Sequence, residues 1–243
     1  MTLLSSVLFL VAVLLPSFPA NGMVPNFASL STMLNEIQEE IVNKHNSLRK
    51  NVSPTAQNML KMTWDKNATV NAQKWADMCQ YEHSRQELRT TDTTCGENLY
   101  MSSDPNSWSD AIQSWYDEVN DFTYGIGAKS LGAVIGHYTQ VVWDTSYRVG
   151  CGLAHCPNED LPYFYVCQYC PAGNYENRVS TPYKKGPTCA SCPNDCEDGL
   201  CTNSCSYYDN YSNCAELKEQ VTCEYELVKN YCKATCLCEG KIY

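Results

Sequence analysis

The chain has 243 residues, 44% of them hydrophobic and 18% charged, a balance that excludes a disordered or collagen-like chain and suits one compact domain with a small companion. With 17 Lys+Arg against 27 Asp+Glu, the net charge of -10 argues against holding nucleic acid or an anionic membrane surface through bulk charge. A basic ligand or a cationic patch on a partner fits better.

Residues 7–15 form an unbroken apolar run followed by Pro16, Pro19 and Ala20, which reads as a secretory signal peptide over 1–21. The run is too short to span a bilayer, and no second apolar stretch of spanning length follows. The expected product is therefore soluble and secreted, where the even count of 16 cysteines means disulfides. Asn67-Ala-Thr69 and Asn210-Tyr-Ser212 are glycosylation sequons, while Asn51-Val-Ser53 is weakened by the Pro54 that follows it.

Ile37, Ile41, His45 and Leu48 recur at helical spacing and predict a first helix over 34–50. A second helix begins near Asn67, with Val70, Trp75, Met78 and Cys79 as its buried stripe. A third starts at Ser107, whose hydroxyl can cap it with Asp110 three residues on, and buries Trp108, Ala111, Ile112, Trp115 and Val119. After a glycine-bearing turn over 125–136 the period changes to two, so 138–143, 149–155 and 163–169 are predicted strands. Helices followed by an antiparallel meander give an α+β sandwich. The segment 177–188, with Pro182 and Pro187, is the expected boundary.

Beyond it the physics changes. All five Trp lie between Trp64 and Trp143, and from Cys189 onward there is no Trp, Phe or Met. That tail holds ten of the 16 cysteines, so cross-links rather than a core must stabilise it. Its half-dozen polar-surface tyrosines include Tyr207, Tyr208 and Tyr211, amphipathic candidates for partner contact.

Four histidines can be weighed singly. His45 shares a face with Ile41 and reads as a satisfied core histidine, and His155 is a strand end. His83 and His137 gain interest beside Glu97, tied close to the core if Cys95 is bridged, and Glu118, on the edge of the third helix's buried stripe. Two imidazoles and two carboxylates suit zinc, although the four span 55 positions and form no compact ligand motif.

Gly136-His-Tyr-Thr-Gln-Val-Val-Trp-Asp-Thr-Ser146 and Phe164-Tyr-Val-Cys-Gln-Tyr-Cys-Pro-Ala-Gly-Asn-Tyr175 resemble the two signature segments of the CAP superfamily. The ten-cysteine spacing of the tail, C-x2-C-x3-C-x4-C-x3-C-x8-C-x8-C-x8-C-x3-C-x-C, is similar to the hinge and ShKT-like ion-channel-regulatory module of the cysteine-rich secretory proteins, the CRISP branch of CAP, as found in the mammalian reproductive tract and saliva. The resemblance implies an α-β-α sandwich over 34–175, a linker and disulfide hinge over 176–204, and a cysteine-rich domain over 205–238. It implies a weak zinc site at His83 and His137 with Glu97 and Glu118 hydrogen-bonded around them. It also implies eight pairings: Cys79 with Cys156, Cys95 with Cys170, Cys151 with Cys167, Cys189 with Cys196, Cys192 with Cys201, Cys205 with Cys238, Cys214 with Cys232, and Cys223 with Cys236.

The function implied is that of a secreted, mostly monomeric, non-enzymatic regulator, stored in secretory granules or released directly, that modulates ion channels or binds sperm and other cell-surface proteins in fertilization. Two other readings of the same residues are metal-dependent hydrolysis at the His/Glu group and carriage of a lipid or sterol in an apolar groove. The tail carries four Lys, no Arg and nine Asp+Glu, so modulation from the rim of a cation pore is expected over direct occlusion.

Overall fold

The expected first helix forms as α1 (Asn35–Lys50) in the computed structural model, which describes residues 25–211 and 213–243. The signal-peptide expectation over 1–21 lies outside the described residues. The buried face of α1 is Ile37, Ile41, His45 and Arg49, four residues apart as one helix face requires. Leu48, expected in that stripe, is only partly buried, and Arg49 takes the position at 0% exposure.

A guanidinium can be buried there because its donors all meet carbonyl oxygens. Nε and Nη2 donate to Leu60 O at 3.0 and 2.7 Å, and Nη1 donates to Val141 O and Trp143 O at 3.0 and 2.7 Å. Nη2 also reaches Asp144 O and Ser146 O at 3.3 and 3.0 Å. Burial pulls the Arg49 pKa down to about 9, opposed by the nearby Asp144 charge.

His45 is satisfied as expected. Its Nδ1 lies 2.8 Å from Ile41 O, an acceptor only, so Nδ1 carries the hydrogen and Nε2 accepts from the Tyr169 hydroxyl at 2.9 Å. Desolvation lowers the His45 pKa to about 4, the Ile41 carbonyl opposes it, and the charges of Arg49 and Lys44 add to it. A histidine that binds its proton at about 6.5 unfolded and about 4 folded contributes stability that is full above pH 6.5 and drains away as the pH falls through that window. Between pH 7 and pH 5 the chain should lose about 2 kcal/mol from this residue. Urea midpoints at the two pH values should show the loss, and His45→Gln should largely abolish the pH dependence.

After β1 (Thr63–Trp64) and α2 (Lys66–Asp77) come β2 (Gly96–Ser102) and α3 (Trp108–Asp117). A small hairpin of β3 (Phe122–Thr123) and β4 (Gly127–Ala128) precedes α4 (Gly136–Val141), β5 (Arg148–His155) and β6 (Tyr163–Cys170). The main sheet runs β1-β5-β6-β2, with β1 parallel to β5 and the other pairs antiparallel. Tyr165, Cys167 and Tyr169 of β6 face the core shared with α1, α3 and α4, while Phe164 and Val166 face α2, as the two-residue alternation of a strand demands. This is the α-β-α sandwich. Ser107 caps α3 as expected, its Oγ accepting from Asp110 N at 3.0 Å.

Three expectations need correction. Residues 138–143 were expected as a strand and are mostly α4, because both ends of that short helix are held by distant partners. The Glu118 carboxylate accepts from His137 N and Tyr138 N at its start, and Arg49 takes the Val141 and Trp143 carbonyls at its end. Along α2, Val70 and Met78 are 51% and 53% exposed, and the buried face is Ala68, Thr69, Ala72, Trp75 and Ala76. The cause lies in β5, where a Cβ on Gly150 would stand 2.3 Å from Thr69 N and one on Gly152 2.4 Å from Gln73 Cα, so α2 lies directly on the strand backbone and presents small residues to it. Val119, expected in the buried stripe of α3, falls in the 3-10 turn after it and is only partly buried.

The tail forms β7 (Cys196–Glu197) and β8 (Leu200–Cys201), then α5 (Cys214–Val221), α6 (Glu226–Tyr231) and α7 (Lys233–Leu237). All eight implied disulfides are present. The hinge docks on the sandwich through backbone bonds, Cys201 N to Met59 O and Lys61 N to Cys201 O, both 2.8 Å. Ion pairs Lys50–Asp198 at 2.8 Å and Lys61–Glu197 at 2.6 Å flank it. The proline-bearing segment before the hinge is also held to the sandwich: Tyr183 is 1% exposed within the main core, and Asp144 N donates to Pro182 O at 2.9 Å.

Candidate functional site

The sandwich places the four His and Glu residues around the edge strand β2. Glu97, on β2, is buried and accepts four hydrogen bonds: Oε1 from His83 Nδ1 at 3.1 Å and Ser84 N at 2.8 Å, Oε2 from Ser84 Oγ at 2.7 Å and Gln168 Nε2 at 3.2 Å. Burial alone would raise this carboxyl, but the bonds from His83, Ser84 and Gln168 together outweigh it and hold the group below the usual carboxylate range. The Cys95–Cys170 bridge fixes the start of the strand. Arg89 donates to Ser84 O and secures the segment that carries His83.

Glu118 follows the last turn of α3 and receives His137 Nδ1 at 2.6 Å on Oε1, with His137 N and Tyr138 N at 2.9 and 3.1 Å on Oε2. The His137 ring stacks on Trp115 at 6.5 Å between centroids and 18° between planes. Asn98, next to Glu97 but on the opposite face of the strand, donates to His137 O at 3.1 Å and to the Tyr169 hydroxyl at 3.4 Å. A chain of contacts therefore runs from His45 through Tyr169 and Asn98 to the start of α4.

The structure thus pairs His83 with Glu97 and His137 with Glu118. It does not gather the four into a cage: among the described residues no three of them bring ligand atoms within 4.8 Å of one another. Each Nδ1 faces a carboxylate and carries the hydrogen, which leaves Nε2 as the lone-pair donor. His83 and His137 expose 57% and 29% of their side chains, so both rings are accessible to a metal from solvent. Two imidazole nitrogens with carboxylates beside them are donors of the kind zinc takes. Ser84, Gln168, Asn98 and Trp115 complete the site, and of these the sequence does not single out Gln168 and Asn98.

A second cluster is more compact: Cys189, Cys192 and Cys201 bring their sulfurs within 4.8 Å of one another. These sulfurs belong to the Cys189–Cys196 and Cys192–Cys201 disulfides and supply no thiolate, so the cluster is a cross-linked core and not a zinc knuckle. In the tail, Tyr207, Tyr208 and Tyr211 are 47%, 50% and 46% exposed. They line a groove of about 510 Å³ between the C-terminal module and the sandwich, opposite Tyr147 and Tyr175. Asn210 lines the same groove, and Asn67 is exposed in the first turn of α2. Among the described residues, no helix is long and apolar enough to cross a membrane.

Residues 42–169 match the family described as CAP, Cysteine-rich secretory protein family, and residues 189–243 match Crisp. The chain is 64% identical over 238 residues to Cysteine-rich secretory protein 2 of Homo sapiens, covering 98% of each. It is 60% identical to Cysteine-rich secretory protein 3 of Homo sapiens and 56% identical to Cysteine-rich secretory protein 1 of Mus musculus, covering 100% of each chain in both cases. Among solved structures, that of NaASP2 with Zn2+ matches with TM-score 0.60 and 29% identity, over 70% of this chain and 96% of that one. Na-ASP-1 matches with TM-score 0.58 and 32% identity, over 68% of this chain and 46% of that one. A CAP sandwich, a docked hinge and a disulfide-built tail, all matched end to end by these relatives, make this chain a member of the cysteine-rich secretory protein family.

Proposed function

We propose that this protein is a secreted, non-enzymatic regulator that binds an ion channel or another cell-surface protein, including those of gametes, through its C-terminal module. The observation that carries the reading is the row of half-exposed tyrosines at 207, 208 and 211 on a module locked by the Cys205–Cys238, Cys214–Cys232 and Cys223–Cys236 disulfides. A cross-linked scaffold loses little conformational freedom on binding, and tyrosine offers large contact area with few rotatable bonds. Eight disulfides accord with an oxidising, extracellular setting.

The His/Glu group supports a structural role over a hydrolytic one. A general base needs a lone pair free for a water proton: the four hydrogen bonds Glu97 accepts fill its carboxylate, and the three on Glu118 commit most of its capacity to His137 and the start of α4. The glutamates orient the imidazoles and hold α4. Zinc bound weakly by His83 and His137 would tie α4 to the segment before β2. Calorimetry with zinc should register a site that the His83→Ala, His137→Ala double variant lacks, and unchanged affinity in that variant would remove the site from this pair.

Glu118→Gln in the full chain separates regulation from hydrolysis. Saturable binding to intact sperm should be unchanged in that variant. A metal-dependent hydrolase would instead lose turnover by about 100-fold or more when the charge that positions its water is removed. Zinc-dependent turnover on a peptide and ester panel that vanished with Glu118→Gln would overturn the non-enzymatic reading.

A further inference from the structure

The groove between the two parts of the chain has chemistry that a protein contact does not use fully. Its walls are tyrosine rings from both sides: Tyr147 and Tyr175 from the sandwich, Tyr207, Tyr208 and Tyr211 from the tail. Its two charged residues are already engaged. Arg178 Nη2 lies 2.9 and 2.8 Å from the Asp144 carboxylate oxygens, and Asp209 accepts from Thr235 N at 3.0 Å and Thr235 Oγ1 at 2.5 Å. What remains is mostly an aromatic, hydroxyl-bearing surface. Such a surface suits a neutral occupant with apolar faces and polar edges, which describes a sugar ring.

The chain supplies a place to attach one. Asn210 lies in the wall of this groove, is exposed, and heads the sequon Asn210-Tyr-Ser212. Its backbone is fixed from two directions, by its own N–H to Tyr231 O at 2.7 Å and by the Asp209–Thr235 contacts one residue earlier. A glycan on Asn210 therefore starts from a set position beside the rings rather than from a loose loop.

We infer that an N-linked glycan on Asn210 seats in this groove, covers Tyr207, Tyr208 and Tyr211, and so sets whether the tyrosine surface is open to a partner. The modification is transfer from a lipid-linked oligosaccharide pyrophosphate in the secretory pathway. The Asn210 side-chain nitrogen forms a bond to C1 of the first sugar and loses a proton, the C1–O bond breaks, and the lipid pyrophosphate leaves with its electron pair. The seating stands on the groove alone, whereas the regulatory consequence rests on the partner-binding reading above. Protein with and without the sugar would then differ in partner affinity with no change of fold.

The test uses the full chain secreted by mammalian cells, as wild type, Ser212→Ala, which removes the sequon, and Ser212→Thr, which keeps it. Glycopeptide mass spectrometry reads occupancy at Asn210. Limited tyrosine nitration, mapped by peptide, reads cover. Occupied wild type and Ser212→Thr should show several-fold less nitration at Tyr207, Tyr208 and Tyr211 than Ser212→Ala, while Tyr225, exposed in the same module, reacts equally in all three. An unmodified Asn210, or a modified one with unchanged nitration of the three tyrosines, overturns the inference. Binding to intact sperm should be tighter for Ser212→Ala. Protected tyrosines with unchanged binding overturn the regulatory half alone and place the failure in the partner-contact reading.

Discussion

Replacing Arg49 with Met is expected to destabilise the sandwich by about 3–5 kcal/mol, measured by urea unfolding followed through tryptophan fluorescence. Methionine fills most of the same volume, so the loss is not chiefly one of packing. The guanidinium is the donor for carbonyls of Leu60, Val141, Trp143, Asp144 and Ser146, and without it those buried oxygens keep no comparable partner. Lysine should not rescue, because three donors on one nitrogen cannot address groups spread around a planar fork. The damage should also reach the candidate site. With the end of α4 released, His137 at its start loses a fixed backbone, and zinc affinity should fall even though no ligand has changed. A loss below about 1 kcal/mol would mean that water satisfies those carbonyls and that Arg49 does not organise α4.

Removal of one tail disulfide by Cys214→Ala with Cys232→Ala is expected to unfold the C-terminal module while the sandwich persists. Its apolar core is small: Val228 and Ala234 are fully buried, and most of the remaining buried surface is cystine, with Cys214 and Cys232 at 1% and 0% exposure. Losing such a bridge costs about 2–5 kcal/mol in a small secreted domain, as much as the module can be expected to hold. Amide resonances beyond residue 205 should collapse in dispersion, while those of α1, α3 and the main sheet remain. A tail that stays dispersed in the double variant would show that burial, not cross-linking, holds it.

The parts of the fold that could be read from sequence were those whose pattern is local. α1 and α3 advertise large apolar residues at helical spacing, and β5 and β6 are short runs rich in β-branched and aromatic residues. α4 could not be read, since it is held by Glu118 from 19 residues before and by Arg49 from 92 before, and neither appears in the local pattern. Arg49 itself was hidden because a charged residue in a stripe of Ile37, Ile41 and His45 is ordinarily the solvent side. Most of the face of α2 is not legible because it is largely alanine, which only the glycines of β5 make useful. At the site, His83, Glu97, Glu118 and His137 drew attention by residue type and by resemblance, but Gln168 and Asn98 are ordinary polar residues until the β2–β6 register places them. Disulfide connectivity came through resemblance alone, since spacing leaves many pairings open.

Regulation through the C-terminal module is tested most directly by recording cation currents of the sperm plasma membrane with three full-length proteins at matched concentration. All carry Ser212→Ala so that the Asn210 sugar is not a variable: one with no further change, one with Tyr207→Ala, Tyr208→Ala and Tyr211→Ala, and one with His83→Ala and His137→Ala. The first and third should modulate the current alike, and the tyrosine variant, folded by its amide dispersion, should lose at least about tenfold in potency, as expected for central aromatic contacts. Modulation kept by the tyrosine variant and lost by the histidine variant would contradict the proposal and move the active surface to the His/Glu group of the sandwich.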